Sequence, residues 1–491
     1  MLFVASAAEA TNSLQARLSA HLAQSRFASA LWGVKVISLD TGGTLFEHNA
    51  EKLMKPASNA KLYTGALALD RLGPDFRIKT SLYASARPAK SGTLTGDLIV
   101  YGRGDPSFAA RFYDGDYTKL LDPLVDALET AGVKRIKGNL VGDESYFRGP
   151  PLGSGWTWDD LQYYYGAEVS ALTIQDNVID LVFTPGNRIG DSCDVKTMPV
   201  TDFVVFFNRT ETVPLNGKRE ISFYRPLGEN LVYVSGTLPL GRSNRVDAVA
   251  VHDPARWFLA LFKEALTKHG IKVSGKLRTV NWLDRDLTPL DSSLIELGSV
   301  QSRPLSEIVT KMMKPSQNLY AQLLLLQVAA NSTCATNAPR NQTSEEIGLA
   351  ELQDFLATAG IKKGEVLLEE GSGLSRGTLL TPNATVELLK FMSRHRYADM
   401  FRDALPIAGV DGTLRNRMNG TKAEGNVRAK TGTIRYVNTL SGYVTSAGGE
   451  RLAFSVMLNH HNPDPGFPAR ADVDAIAILL AGYDLTLDPP N

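Results

Sequence analysis

Apolar and polar positions alternate along Leu31-Trp-Gly-Val-Lys-Val-Ile-Ser-Leu39 and again at Thr44-Leu-Phe46, with Asp40-Thr-Gly-Gly43 between them. Period-two patterning interrupted by a Gly-rich turn predicts a β-hairpin, and an amphipathic segment from about Asn12 to Ala28 leads into it. The next stretch, Pro56 to Gly73-Pro74, is apolar on every side of a helical projection, with Pro in its first turn and Gly-Pro as its stop. These are the marks of a central, buried helix.

From Ile78 to Ala250 the pattern changes to short β-branched and aromatic runs such as Leu98–Tyr101, Val178–Phe183, Phe203–Phe207, Ile221–Tyr224, Leu231–Val234 and Val246–Val251. Turn signals at Pro185-Gly, Asn216-Gly and Gly241 separate them, which predicts a β-rich region. Helical periodicity returns at Asp253–Lys268 and at Pro304–Ala330, the latter as one long or two consecutive helices. After a helix near Thr385–Arg394 the chain closes on the strands Val427-Arg-Ala-Lys430, Asn438–Thr445 and Leu452–Asn459.

Length and composition narrow the possibilities. At 491 residues the chain exceeds the roughly 250–300 at which single cores stop growing, so two or three domains are expected. Lys plus Arg and Asp plus Glu both total 52, so no global field attracts nucleic acid or anionic lipid. The longest apolar stretches, Leu323–Leu326 and Ile476–Gly482, fall far short of the ~18–20 residues of a membrane span. The opening Met1-Leu-Phe-Val-Ala-Ser-Ala-Ala-Glu-Ala10 reads as a truncated export signal, or else as a frayed helix start. With only Cys193 and Cys334, the chain is neither a disulfide scaffold nor a Cys-based zinc site, and a single bridge between them is left open. No metal or cofactor motif is present, so none is expected.

Three short motifs carry chemistry when taken together: Ser58-Asn-Ala-Lys61 in the first buried helix, Ser316-Gln-Asn318 at the head of a helix, and Lys430-Thr-Gly-Thr433 on a strand. The i, i+3 spacing puts the Ser58 hydroxyl and the Lys61 amine on one helix face, a nucleophile beside a base. Lysine accepts a proton only when neutral, and burial near a second cation, for which Lys430 is the candidate, lowers its pKa. Ser58 lies in the first turn, where its N–H is free to form half of an oxyanion hole, and the N–H of Thr433 supplies the other half. Ser316 and Asn318 can point into one cleft, the hydroxyl to shuttle a proton and the amide to hold substrate; by itself Ser316 would be a helix N-cap. Lys430 and Thr431 offer a charge and a hydroxyl to a substrate carboxylate, and Gly432 permits close approach of the substrate backbone.

At these residues the chain resembles the penicillin-recognising serine acyl-enzymes, and more narrowly the class C low-molecular-mass penicillin-binding proteins. The narrower resemblance rests on the 258 positions separating Ser58 from Ser316, a gap which in that family holds inserted domains. It also rests on Gly102-Arg-Gly-Asp-Pro-Ser107, Gly142-Asp-Glu-Ser-Tyr-Phe147, Tyr165-Gly-Ala-Glu-Val-Ser-Ala-Leu172, Gly371-Ser-Gly-Leu-Ser-Arg376 and Gly409-Val-Asp-Gly-Thr-Leu414. The resemblance implies an α/β (α+β) fold: a β-lactamase/transpeptidase-like domain, an antiparallel sheet flanked by helices, with inserted β-rich domains. Residues 1–83 plus 251–491 would form the peptidase domain, and 84–250 the insertion, as nested subdomains of about 84–174 and 175–250.

The same resemblance implies a periplasmic serine D-Ala-D-Ala carboxypeptidase and peptidoglycan DD-endopeptidase of cell-wall remodelling. Its partners would be stem peptides, their cross-links and β-lactam antibiotics, with no cofactor. Ser58 would be the nucleophile, Lys61 its base, Ser316 and Asn318 the second element, and Lys430, Thr431, Gly432 and Thr433 the carboxylate and oxyanion side. Gln317 stands where some relatives carry Asp, with its side chain expected to face away from the cleft. A serine β-lactamase is the enzymatic alternative, but no Glu-bearing deacylation loop follows the first motif. A noncatalytic cell-wall scaffold is the other. Oligomeric state and peripheral membrane association stay open. The aromatic cluster Trp156 to Tyr165 is expected as domain-interface packing rather than cleft lining, and His460-His461 as a solvated loop rather than a metal site.

Overall fold

In the computed structural model, residues 13–336, 339, 341–462, 466 and 468–484 are described; the expected export signal at 1–10 lies outside them. The two ends of the chain build one five-stranded antiparallel sheet, in the order Arg428–Ile434, Val437–Thr445, Arg451–Asn459, Leu31–Ser38, Thr44–His48. The hairpin expected at Asp40–Gly43 is formed, with Val36 opposite Phe46. Leu31–Ser38 is buried almost throughout because helices cover both faces.

On one face, Leu14–Leu22 and Ala469–Gly482 pack on Val34, Val36, Leu440, Phe454 and Val456. The other face carries Ala60–Leu72, Leu305–Met313, Asn318–Ala330, Ser344–Thr358 and Pro382–Met392 in the largest core. Thr381 caps the last of these by accepting from the Ala384 N–H, with Pro382 in its first turn. Asn318–Ala330 is buried over every residue but its last, so its polar side chains must find internal partners. Tyr320 donates to Asp176 at 2.6 Å, and Gln327 donates to the Arg103 carbonyl.

Residues 79–301 hold the second core. A five-stranded sheet runs Leu277–Val280, Leu140–Asp143, Leu98–Tyr101, Lys79–Ala84, Ile295–Gln301. Within it are nested two three-stranded sheets, Arg245–Ala250/Val178–Thr184/Asp194–Met198 and Val205–Val213/Leu231–Pro239/Glu220–Tyr224. The expected return to the first body at 251 is therefore too early. Helix Pro254–Lys268 sends Trp257, Phe258, Phe262 and Leu266 into the second core, and Ile295–Gln301 pairs with Lys79–Ala84, so the chain leaves this body only near Ser302.

Cys193 is buried beside Thr212 and Cys334 is exposed, both as free thiols, so they do not bridge. Among the described residues no helix is long and apolar enough to cross a membrane, and no group of three His, Cys, Asp or Glu is placed to hold a metal.

Candidate active site

Ser58 sits in a 3₁₀ turn, Ala57–Asn59, that runs directly into helix Ala60–Leu72. Ala57 is left-handed at φ 47°, a strained conformation for a residue with a Cβ. It is held because the left-handed Gly373 packs against its carbonyl, where a Cβ would collide. The i, i+3 geometry then delivers Lys61 Nζ to 2.9 Å from Ser58 Oγ. Lys61 is fully buried and also donates to Asn318 Oδ1 at 2.6 Å and to the Ser372 carbonyl at 2.8 Å.

This three-way contact has a chemical consequence. A neutral amine has two N–H groups and one lone pair. Asn318 Oδ1 and the Ser372 carbonyl are acceptors only, so they take the two N–H groups and the lone pair is left facing Ser58 Oγ. Burial lowers the Lys61 pKa to about 7, opposed by the nearby Glu370 carboxylate, which favours the charged form. Glu370 is itself fixed by the backbone N–H groups of Ser372 and Gly373.

The second motif breaks the long helical stretch in two. Ser316 is left-handed at φ 67° between Leu305–Met313 and Asn318–Ala330. Gln317, not Ser316, is the N-cap, its side chain accepting from the Leu319 N–H at 3.4 Å. Ser316 Oγ is thereby left to accept from Lys430 Nζ at 2.8 Å. Asn318 donates through Nδ2 to the Tyr165 carbonyl at 2.8 Å.

Lys430, Thr431, Gly432 and Thr433 lie on Arg428–Ile434, the edge strand of the main sheet, so one row of its backbone groups is open to the cleft. Lys430 is fully buried, its pKa driven well down by burial first and then by the Lys61 and Arg417 charges. Burial is the main cause that depresses Lys61, and the repulsion between the Lys61 and Lys430 charges adds to the lowering of Lys430.

The cleft encloses about 800 Å³ and is lined by Ser58, Ser316, Asn318, Thr431 and Thr433, together with residues to which the sequence assigned no role. Thr413 shares a 2.8 Å hydrogen bond with Thr431. Arg417 reaches in from a two-pronged pair with Asp474, and Arg376 from a 2.8 Å pair with Asp160. Thr413 and Arg376 fall inside the Gly409–Leu414 and Gly371–Arg376 runs, which carry the resemblance but gave these two residues no role; Tyr165 acts through its carbonyl, which leaves no mark on a sequence.

Tyr163, Tyr164 and Tyr165 do line the cleft, contrary to the expectation of interface packing alone, although Tyr163 also packs on Phe223 at 5.3 Å. His460 is exposed, but its neighbour is not simply solvated: His461 Nε2 accepts from Asn438 at 2.9 Å, and Asn438 accepts from Thr433.

The model of the D-Ala-D-Ala carboxypeptidase 3 (S13) family matches residues 14–479. A D-alanyl-D-alanine carboxypeptidase of Actinomadura sp. (strain R39) is 33% identical over 469 residues, covering 92% of this chain and 82% of that protein. The D-alanyl-D-alanine carboxypeptidase DacB of Haemophilus influenzae is 28% identical over 425 residues, covering 85% and 82%. The crystal structure of penicillin binding protein 4 (dacB) from Haemophilus influenzae superposes with a TM-score of 0.77 at 27% identity, over 93% of this chain and 97% of that one. The same protein complexed with a β-lactam superposes with a TM-score of 0.73 at 24% identity, over 95% and 99%. With the family match running over nearly its whole length, the chain belongs to the D-Ala-D-Ala carboxypeptidase 3 (S13) family, the serine peptidases known as class C low-molecular-mass penicillin-binding proteins.

Proposed function

We propose that this serine peptidase works through an acyl-enzyme on Ser58, removing terminal D-Ala from peptidoglycan stems and opening D-Ala-containing cross-links. The observation that carries this reading is the position of Lys61, with two hydrogens held by Asn318 and Ser372 and its lone pair left for Ser58. Ser58 Oγ attacks the carbonyl carbon of the penultimate D-Ala while its proton passes to neutral Lys61. The oxyanion is received by the N–H groups of Ser58 and Thr433.

Collapse of the tetrahedral intermediate needs a proton on the leaving amine. Lys61 gives up the proton it took from Ser58, and Ser316, hydrogen-bonded to Lys430 on the leaving-group side, relays it to that amine, which leaves Lys61 neutral again. The leaving D-Ala carries a carboxylate, for which Lys430, Thr431 and Thr413 form the receptor. In a cross-link to a meso-diaminopimelate side chain the leaving amine also sits on a carboxylate-bearing D-centre, so one receptor serves both reactions. Water then attacks the ester, neutral Lys61 takes its proton, and Lys61 returns that proton to Ser58 Oγ as the acyl group leaves, which regenerates Ser58.

A β-lactam carries the same acyl carbonyl and a carboxylate, and acylates Ser58 by the same steps; the Haemophilus relative solved with a β-lactam supports this. We further read residues 79–301 as two nested units inserted into the peptidase domain, and place the enzyme outside the cytoplasmic membrane, where its substrate is. The reading is tested by incubating the protein with purified muropeptide monomers and cross-linked dimers. Loss of one D-Ala from monomers and conversion of dimers to monomers, both by mass, are expected; intact substrates would refute it.

A further inference from the structure

The amide of Asn318 is the hinge of the lysine geometry, and what holds it comes from the inserted region. Its Nδ2 donates to the Tyr165 carbonyl, which leaves Oδ1 to face Lys61. Turned over, the amide would set Nδ2 against the Lys61 N–H groups and Oδ1 against the Tyr165 carbonyl, and the lysine lone pair would turn from Ser58 to Asn318. The segment 161–165 therefore has to be held still.

Beside the Asn318 contact itself, the anchors that reach it from the inserted region lie at the nested sheets. Arg225, 3% exposed and just beyond strand Glu220–Tyr224, donates from Nη2 to the Leu161 carbonyl at 2.7 Å and from Nη1 to the Glu229 carbonyl at 3.0 Å. Its own N–H donates to Gln162 Oε1 at 3.1 Å. The Gln162 carbonyl accepts from the Ala250 N–H at 3.0 Å, Tyr163 bridges to Val249, and the Tyr163 ring rests on Phe223. A buried guanidinium whose two Nη groups both donate to backbone carbonyls is a fastening and not a charge pair.

We propose that Arg225 is a positioning residue for catalysis: by fastening the segment 161–165 to the nested sheets it fixes the Tyr165 carbonyl, hence the Asn318 amide, hence the direction of the Lys61 lone pair. The inserted region is then part of the catalytic apparatus and not only a decoration of the fold. The inference rests on the acyl-enzyme reading above. The groups facing Lys61 that bear on its protonation are the Glu370 carboxylate and the Lys430 amine, and Arg225 touches neither.

The test is the rate of acylation by a fluorescent penicillin across pH, measured on full-length wild type, Arg225→Ala and Arg225→Lys, with folding followed by circular dichroism. Folded Arg225→Ala is expected to acylate about 10- to 100-fold more slowly. The acidic limb of its profile moves to lower pH, because charged Lys61 loses the Asn318 carbonyl. Arg225→Lys, still able to donate to Leu161, restores most of the rate. Should Arg225→Ala not fold, Gln162→Ala loosens the same segment and is expected to show the same slower rate and shifted limb. Wild-type rates and an unmoved limb in folded variants, or a loss that tracks only the unfolded fraction, overturn the proposal. If wild type itself is not acylated, the acyl-enzyme reading falls instead.

Discussion

Gly432 lies so close to Ser58 that a Cβ in its place would stand 3.0 Å from the Ser58 nitrogen and 2.6 Å from the Pro56 carbonyl oxygen, and would overlap the Thr439 hydroxyl. Neither neighbour can yield, since Thr439 Oγ1 donates to that same Pro56 carbonyl at 2.8 Å. The edge strand is thus drawn against the turn that carries Ser58, which is what the proposed shared oxyanion hole requires. Gly432→Ala is expected to push strand and turn apart and to lower the acylation rate by about 100-fold or more, the cost of a displaced oxyanion donor, while the melting temperature falls only modestly. Acylation within a few-fold of wild type would contradict this packing argument.

The pH dependence follows from Lys61. With its pKa lowered to about 7 by burial, the neutral form grows in as pH rises through that value, so acylation is expected to increase along a single acidic limb with its midpoint there. Stability has a matching sign. In the unfolded chain the lysine titrates at about 10.4, so between about pH 7 and that value the unfolded state binds more protons and the fold gains stability as pH rises. Below about 7 the full penalty is present. Urea unfolding of wild type against Lys61→Met should show the difference moving in favour of wild type by at most about 1.4 kcal/mol per pH unit above 7. A flat difference would mean that Lys61 is not depressed.

Lys430 is buried with no acidic partner among its hydrogen bonds, which go to Ser316 Oγ and the Thr431 carbonyl. Burial and the Lys61 and Arg417 charges pull its pKa well below the usual lysine value, and a bound carboxylate opposes that shift by supplying the missing counter-charge. Lys430→Ala is expected to cost on the order of 2–4 kcal/mol in kcat/KM on a substrate with a free terminal carboxylate and much less on its neutral amide. Equal losses on both would show that Lys430 does not read the carboxylate.

What could be read from the chain, and what could not, divides along physical lines. Ser58, Lys61, Ser316, Asn318 and the Lys430–Thr433 strand carry side chains in fixed spacings; the structure lines one cleft with Ser58, Ser316, Asn318, Thr431 and Thr433 and sets the buried Lys61 and Lys430 behind it, bonded to Ser58, Asn318 and Ser316. The hairpin at Asp40–Gly43 was equally plain, because turn chemistry and alternation agree there. Helix Pro254–Lys268 has an apolar stripe that fits either core, so nothing local could say that it stays with the second body. Ser316 and Gln317 are both competent caps, and only the left-handed turn at Ser316 decides between them. The Tyr165 and Ser372 groups that orient Asn318 and Lys61 are backbone carbonyls, which every residue possesses.

Ser58 and Lys61 form one unit, bonded at 2.9 Å, so their losses should not add. Ser58→Ala, Lys61→Ala and the double variant are expected to fall to about the same residual activity on a D-Ala-D-Ala peptide. A double variant worse than either single one by the product of their losses would mean that the two residues act independently.

The most direct measurement is the site of the covalent adduct. After brief incubation with a penicillin, proteolysis and mass spectrometry, a single adduct with the mass of the intact drug is expected on the peptide containing Ser58, and none in Ser58→Ala. An adduct on another residue, or labelling that survives the substitution, would contradict the assignment of Ser58 as the nucleophile.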